Sequence, residues 1–221
     1  MLNPLGNMLV LTLVFSQLFH RVEGYPVYVL SALIAWSFFA QSTTTAMDQT
    51  VWGSTLLRRI YVPRTVFVVS AVGTGLVNLV LSLIPLFVIM LFVNITFQWT
   101  LIFLPLDMFL LAAFSLGFGL LLSAWAIYFP DIAEMYRVLL FAWMYLTPII
   151  YPQDIIPEAY RFWFFHLNPM YYFIEIFRRP IYGDVPLSGW IMGGAAVVAL
   201  TSLLVGWLVF NARADEFTYR T

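Results

Sequence analysis

Residues 129–183 read FPDIAEMYRVLLFAWMYLTPIIYPQDIIPEAYRFWFFHLNPMYYFIEIFRRPIYG, and this stretch decides the fold. It is apolar and aromatic enough to enter a membrane, yet prolines interrupt it at Pro148, Pro152, Pro157 and Pro169. Each ring removes a backbone N–H donor and clashes with the preceding turn, so one continuous helix does not form. In hydrocarbon, non-helical backbone persists only where protein or a water-filled cavity surrounds it. The stretch therefore predicts broken backbone at membrane depth, and with it the pathway or gate of the protein.

The composition of the whole chain indicates an integral membrane protein. Of 221 residues, 62% are hydrophobic and 10% are charged, and the mean hydropathy is +0.91, whereas about a quarter of an ordinary soluble domain is charged. The absence of cysteine excludes disulfides, thiolate metal sites and cysteine nucleophiles. All ten basic residues are arginine. Together with eleven Asp and Glu they leave a near-neutral chain, which argues against nucleic acid as a partner.

Apolar runs, uncharged except for Asp107 in the fourth, predict an all-α membrane protein with six transmembrane helices. The fifth run has 13 residues and reaches about 20 Å as a helix, against roughly 30 Å of hydrocarbon. Its helix either continues through a kink at Pro148 or stops inside the membrane. Two short re-entrant or interfacial helices, residues 157–167 and 171–179, are predicted between the fifth and sixth spans. The six runs are residues 1–19, 25–47, 66–93, 100–129, 138–150 and 189–212.

Arginine placement predicts the orientation in the membrane. The polar residues 41–45 mark the predicted emergence of the second span into water, and residues 48–64 form the first loop of any length. This loop holds three of the ten arginines, so the positive-inside rule places it in the cytoplasm. With six spans starting inside, the loop at residues 130–137 and both termini are also cytoplasmic. The two short helices then lie toward the outer face.

Aromatic residues make up 19% of the chain. Their faces stack on the C–H faces of sugars while their polar tips donate hydrogen bonds, so an aromatic-lined passage suits a sliding carbohydrate chain. Lipid-facing or packing aromatics are the alternative interpretation. Among polar residues in predicted spans, Gln17, Asn78 and Asp107 are candidates for function or for hydrogen bonds between helices. Glu175 and Arg179 have the i,i+4 spacing of an ion pair.

Soluble-enzyme chemistry is hard to build from this sequence. The chain has two histidines, no HExxH motif and no lysine for a Walker-type GxxxxGK[ST] loop. Its acidic residues are scattered and do not have the spacing of a metal site. If the protein moves a substrate uphill, the energy must come from elsewhere.

The opening stretch also carries a family resemblance. It resembles the permease subunits of type-2 ABC exporters for polysaccharides, which export O-antigen of lipopolysaccharide, capsule and teichoic acid. Three further segments, YPVY at 25–28, WSFF at 36–39 and LRRIYVPR at 57–64, resemble the family's second span and the cytoplasmic loop after it. The elements within the opening stretch are FPDI at 129–132, YLTPIIYP at 145–152, Pro157, the NP pair at 168–169, an arginine at 178 or 179 and Gly183.

The resemblance implies a transport permease, not an enzyme, in the bacterial cytoplasmic (inner) membrane. It implies a homodimer of six-span subunits with two copies of a separate ABC ATPase subunit. ATP and Mg²⁺ would bind to that ATPase, and this chain would hold no cofactor, no metal and no catalytic residue. The implied substrate is a lipid-linked polysaccharide that moves through an aromatic-lined channel. The identity of the glycan and of its lipid carrier stays open.

Individual residues receive roles from the same resemblance. The channel-lining aromatics are Tyr28, Trp36, Phe39, Trp125, Trp143 and Tyr145. The outer gate consists of Pro148, Pro152, Pro157, Asn168, Pro169, Glu175 and Arg179. The contact with the ATPase subunit consists of Arg58, Arg59, Arg64, Asp131 and Arg137.

We expect a single transmembrane permease domain over residues 1–221, with two departures from the family. The amphipathic helix that usually precedes the first span is expected to be missing, and Pro130 stands where an arginine commonly precedes Asp131. Two alternative functions remain open. One is an exporter of drugs, lipids or ions in the same superfamily, whose pathway would be less aromatic. The other is a membrane-embedded enzyme of envelope biosynthesis, which would need clustered acids, histidines or a metal site facing water.

Overall fold

The computed structural model describes residues 24–52, 63–129, 131–182 and 189–213, together with the single positions 6, 10 and 13. Every regular element within these ranges is helical, which confirms the all-α prediction. Two 3₁₀ helices, Trp99–Phe103 and Gln153–Ile155, and one π-helix, Phe162–His166, lie between the α-helices. The α-helices are α1 (Tyr25–Trp52), α2 (Thr65–Phe92), α3 (Leu104–Ala126), α4 (Ile132–Leu146), α5 (Glu158–Arg161), α6 (Pro169–Tyr182) and α7 (Gly189–Arg213).

Four of the described helices are long and apolar enough to cross a membrane. They correspond to the predicted second, third, fourth and sixth spans, with ends that differ by a few residues. The predicted first span, residues 1–19, lies outside the described ranges except at three single positions, so the count of six spans stays a prediction. The four candidate spans are Tyr25–Val51, Thr65–Phe92, Trp99–Ala126 and Gly189–Arg213.

The helix of the predicted fifth span stops before the proline. α4 has 15 residues and is about 22 Å long. Its last residue is Leu146, and the backbone of the next residue, Thr147, is extended with φ −98° and ψ 135°. A proline disfavours the helical conformation of the residue before it, so Pro148 explains the end of α4 at this position. Of the two predicted outcomes, a kinked helix or a helix that stops, the structure adopts the second.

Two predicted loops are partly wrong. Residues 48–52, predicted to begin a loop, continue α1. α4 begins at Ile132, inside the predicted loop at residues 130–137, and Glu134 lies in its first turn. Neither short stretch, 48–52 or 132–137, contains a proline or glycine that would stop a helix. An acidic residue in the first turn favours a helix start.

The polar residues 41–45, predicted to mark the emergence of the second span into water, lie inside α1, and Ser42 and Thr43 are buried against protein. The point at which the span meets water stays a prediction. The Thr43 hydroxyl bonds to the carbonyl of Phe39 at 2.8 Å and to the hydroxyl of Tyr136 at 2.7 Å. A threonine hydroxyl can bond to a carbonyl one turn back. Polar side chains can therefore lie within a packed helix.

α1 is the most buried of the long helices, and α2, α3, α4 and α6 pack against it. Its side chains Leu30, Phe39 and Met47 belong to the core of the subunit. α3 and α7 approach so closely that a Cβ atom at Gly206 would overlap the carbonyl of Gly117. Small residues at a helix crossing allow backbones into contact. This packing places α6 next to α1, α3 and α7, where the candidate site lies.

Candidate functional site

α6 is a helix buried inside the protein although it carries charged residues. All side chains from Met170 to Arg178 are buried, including those of Glu175 and Arg178. Asn168 precedes this helix and Pro169 is its first residue. Asparagine is favoured as the capping residue before a helix, and proline is favoured at the first helical position. The predicted short helix at residues 171–179 is therefore present, and it is longer than predicted.

The side chain of Asn168 joins the end of α4 to the beginning of α6. Its Oδ1 accepts from the backbone N–H of Met170 at 3.1 Å, which caps α6, and from the indole Nε1 of Trp143 at 2.8 Å. Its Nδ2 donates to the hydroxyl of Thr147 at 2.9 Å. Asn168 is itself buried. One buried amide thus bonds two groups at the end of α4 and one at the beginning of α6.

Residues 147–152, between α4 and the 3₁₀ helix Gln153–Ile155, are not helical, and we call this segment the break. It contains four consecutive backbone carbonyls, those of residues 148–151, which we call the carbonyl row. The guanidinium of Arg178 reaches the row from α6. Its Nη2 donates to the carbonyl of Pro148 at 3.1 Å and to that of Ile149 at 3.2 Å. An unsatisfied backbone carbonyl is costly in a low-dielectric interior. Arg178 removes this cost for the first two members of the row.

Two tyrosines of α1 supply the donors for the other half of the row. The hydroxyl of Tyr25 donates to the carbonyl of Ile150 at 2.9 Å, and the hydroxyl of Tyr28 donates to that of Tyr151 at 3.2 Å. The two tyrosines are three residues apart and therefore lie on one face of the helix. All four carbonyls of the row thus accept from side chains of two other elements.

A buried ion pair holds Arg178 in place. Glu175 Oε1 lies 3.5 Å from Nη1 of Arg178, and Glu175 Oε2 lies 3.1 Å from Nε of Arg179. The Arg178 Cζ stands 3.6 Å from the centre of the Tyr28 ring, a cation–π contact. The predicted pairing of Glu175 with Arg179 is confirmed. The Glu175 side chain is only 6% exposed, so this pair lies largely inside the protein.

Comparison of the sequence with known proteins identifies the family. The family described as "ABC-2 type transporter" matches residues 1–182. The chain belongs to the ABC-2 type transporter family. The O-antigen export system permease protein RfbA of Myxococcus xanthus is 26% identical over 218 residues, which cover 98% of this chain and 84% of that protein. The predicted family resemblance is confirmed.

Further relatives of this ABC-2 chain are similar over nearly its whole length. The RfbA permease protein of Klebsiella pneumoniae is 22% identical over 221 residues, covering 97% of this chain and 83% of that protein. The polysialic acid transport protein KpsM of Escherichia coli is 23% identical over 230 residues, covering 97% of this chain and 84% of that protein.

Three of the six aromatics predicted to line a channel in this ABC-2 chain meet in one cluster inside the subunit. Trp143 lies 6.0 Å from Trp36 and 5.4 Å from Phe39 between ring centres, in edge-to-face geometry. Phe39 also stacks on Phe114 at 5.2 Å, and Trp36 and Phe39 are buried. The cluster packs α1 against α3 and α4. Their role as the lining of a passage stays a prediction.

The other three predicted channel aromatics lie apart from this cluster. Tyr28 lies beside Arg178, whereas Trp125 on α3 and Tyr145 on α4 are 48% and 50% exposed. A cavity of about 320 Å³ lies between the end of α4, the π-helix and the beginning of α6. Its lining is mostly apolar and aromatic and consists of Trp143, Leu146, Trp163, Phe164, Leu167, Asn168 and Pro169.

The residues predicted to contact an ATPase subunit are only partly described. Arg58 and Arg59 lie outside the described residues. Arg137 pairs with Asp48 of α1 at 3.1 Å and also with Glu134, and its side chain is 46% exposed. The other two, Arg64 and Asp131, lie in the turns just before α2 and α4. Arg137 therefore joins the end of α1 to the beginning of α4, and its contact with a partner stays a prediction.

Sequence reasoning missed two residues of this site and only half identified a third. The sequence patterns do not single out Asp48, and they mark Tyr25 only as part of the YPVY segment. Arg178 was recognised only as one of two possible motif arginines. The YPVY segment offered a signal, because its two tyrosines share a helix face. No sequence pattern reveals that their partners are backbone carbonyls more than a hundred residues away.

The described residues offer no metal-binding cluster. No group of three or more His, Asp or Glu side chains comes together within the described ranges. Asp107, a predicted polar candidate, is buried on α3, and neither carboxyl oxygen has a hydrogen-bond partner among the described residues.

Replacement of Asn168 by alanine tests the junction between α4 and α6. We expect Asn168→Ala to lower the free energy of unfolding by about 1–3 kcal/mol, because two buried groups and the partly buried Trp143 indole lose their partner. The measurement is thermal unfolding of the purified protein in detergent. The matched control is Asn211→Ala, at an exposed position of α7, which should unfold like the wild type. Equal stability of the two variants would contradict the proposed junction.

Proposed function

We propose that this chain is the membrane-spanning subunit of an ATP-driven exporter. It moves a lipid-linked polysaccharide across the bacterial cytoplasmic membrane, and a separate subunit hydrolyses the ATP. The observation that carries this proposal is similarity over 97–98% of the chain to O-antigen and polysialic acid export proteins. The chain's own fold agrees, because apolar spans surround a stretch of broken backbone whose polar groups are bonded within the protein.

Two copies of the chain and two copies of the ATPase subunit form the proposed exporter. The exposed side chains of α4 support a location of this helix beside the passage between the two copies. It packs into its own subunit mainly through Tyr136 and Leu140, while Met135, Val138 and Phe141 are 65–71% exposed. The six-span count and the cytoplasmic location of both termini belong to the proposal. They rest on the apolar runs and on the cluster of Arg58, Arg59 and Arg64 in the sequence.

The break after α4 forms the outer gate in this proposal. α6 and the segment before it are re-entrant, since they are too short to span and their backbone is bonded to protein groups. The prolines of the segment keep it from becoming a helix, while Asn168 and Glu175 fix its position against α6. The proposed gate residues are Pro148, Pro152, Pro157, Asn168, Pro169, Glu175 and Arg179.

α1 is the element that links the cytoplasmic side to this gate. With 28 residues it is about 42 Å long. One end bonds to α4 through Asp48 and Arg137, and the other bonds to the carbonyl row through Tyr25 and Tyr28. A motion that the ATPase imposes near Arg137 therefore reaches the outer segment through a single rigid helix.

The glycan passes along aromatic side chains, which stack on sugar rings without holding them tightly. ATP and Mg²⁺ bind to the partner ATPase and not to this chain. Phe141 and Tyr145 of α4 are 65% and 50% exposed, so both rings have access to a passage on that side of the helix.

Reconstitution with the ATPase subunit tests the proposal. The chain and its partner ATPase are placed in a bacterial strain that synthesises a polysaccharide but lacks its own export permease. We expect glycan at the cell surface only when both proteins are present. Export, or ATP hydrolysis, by the purified chain alone would contradict the proposal, and so would export of lipids or drugs without glycan.

Replacement of Pro148 tests the gate. Pro148→Ala restores a backbone N–H and allows α4 to extend by a turn, which displaces the carbonyl row from its donors. We expect glycan export to fall at least tenfold while binding of the ATPase subunit is retained. The control is Pro105→Ala at the ordinary start of α3, which should export normally. Loss of assembly by Pro148→Ala would instead give the proline a purely structural role.

A further inference from the structure

We propose that Arg178 is the positioning residue of the outer gate and acts with the hydroxyls of Tyr25 and Tyr28 as a releasable latch. These side chains hold the carbonyl row in the closed position. This inference rests on the proposed export function, and it adds the bonds that must break when the gate opens.

The donors of the latch come from two different elements. Arg178 belongs to α6, whereas Tyr25 and Tyr28 belong to α1. The row therefore bonds α6 and α1 to the end of α4 at the same time. A separation of any two of these elements removes donors from the row, so opening of the gate and release of the latch are the same event.

Side-chain donors make the row releasable in a way that helix bonds are not. A carbonyl inside a helix is bonded to its own chain and stays bonded when the helix moves as a unit. The carbonyls of Pro148 and Ile149 depend on one guanidinium, which a change of rotamer withdraws. A single rotamer change of Arg178 therefore frees both carbonyls at once.

The guanidinium is itself not fully bonded. Its Nε is buried and has no hydrogen-bond partner among the described residues. Its contact with Glu175 is long, at 3.5 Å, and Glu175 makes a shorter contact of 3.1 Å with Arg179. A guanidinium has five N–H donors. Arg178 thus has donors to spare, and Glu175 keeps a partner in Arg179 when Arg178 leaves.

Release also needs replacement donors. Four carbonyls freed into hydrocarbon would remain without partners, whereas water or sugar hydroxyls can donate to them. The latch therefore opens when water or sugar hydroxyls can reach the row, and it stays closed when the freed carbonyls would face lipid. In the open state the row presents a line of acceptors to the hydroxyl groups of a polysaccharide.

A leak measurement tests the latch independently of the glycan. The chain is assembled with its ATPase subunit in liposomes that contain carboxyfluorescein, without ATP. We expect Arg178→Gln to release the dye roughly tenfold faster than the wild type, since loss of two charge-assisted hydrogen bonds shifts a closed–open equilibrium by about that factor or more. Arg213→Gln, at the end of α7 and against the Tyr128 ring, should release it at the wild-type rate.

A second variant keeps the test decisive if Arg178→Gln does not assemble. The double variant Tyr25→Phe and Tyr28→Phe loses both hydroxyls but retains both rings, including the ring beneath Arg178. It should bind the ATPase subunit normally and leak faster than the wild type. Wild-type leak from an assembled Arg178→Gln complex, or from the double variant, would overturn the latch. Because the dye assay needs no polysaccharide, an exporter of another substrate would leave this result unchanged.

Discussion

The structure depends on hydrogen bonds to four backbone carbonyls, those of residues 148–151. Where Pro148 ends α4, the chain leaves the helix, and inside a low-dielectric interior these groups must find donors within the protein. Arg178, Tyr25 and Tyr28 are those donors. The buried helix α6 carries Arg178 into the interior, and this places a guanidinium beside the row.

Other features of the subunit serve the same arrangement. Asn168 fixes the start of α6 to the end of α4, and Glu175 offsets part of the charge of Arg178. α1 lies at the centre and bonds to α4 at the Asp48 end and to the row at the Tyr25 end. A buried ion pair is weak support for stability, because desolvation offsets much of its attraction. Its value here is geometric, in that it directs one guanidinium toward two carbonyls.

Much of this organisation follows from the sequence, and the reasons are local. Four spans are visible as long apolar runs, and Pro148 predicts the end of α4 through sterics that act on one neighbouring residue. The pairing of Glu175 with Arg179 follows from helical spacing. The burial of Thr43 and the continuation of α1 through Asp48 did not follow, because packing against α4 decides them. Likewise, Tyr25 and Arg178 acquire their roles only when distant segments meet at the row, which no periodicity encodes.

The most direct measurement is an electron cryomicroscopy structure of the chain bound to its ATPase subunit in a lipid nanodisc, without nucleotide. The account predicts that α4 ends at Leu146 and that the row lies toward the outer leaflet. It also predicts that Arg178 Nη2 donates to the carbonyls of Pro148 and Ile149 at about the present 3.1 and 3.2 Å. A helix that continues through Pro148, or a carbonyl row that faces water or lipid with Arg178 turned away, would contradict it.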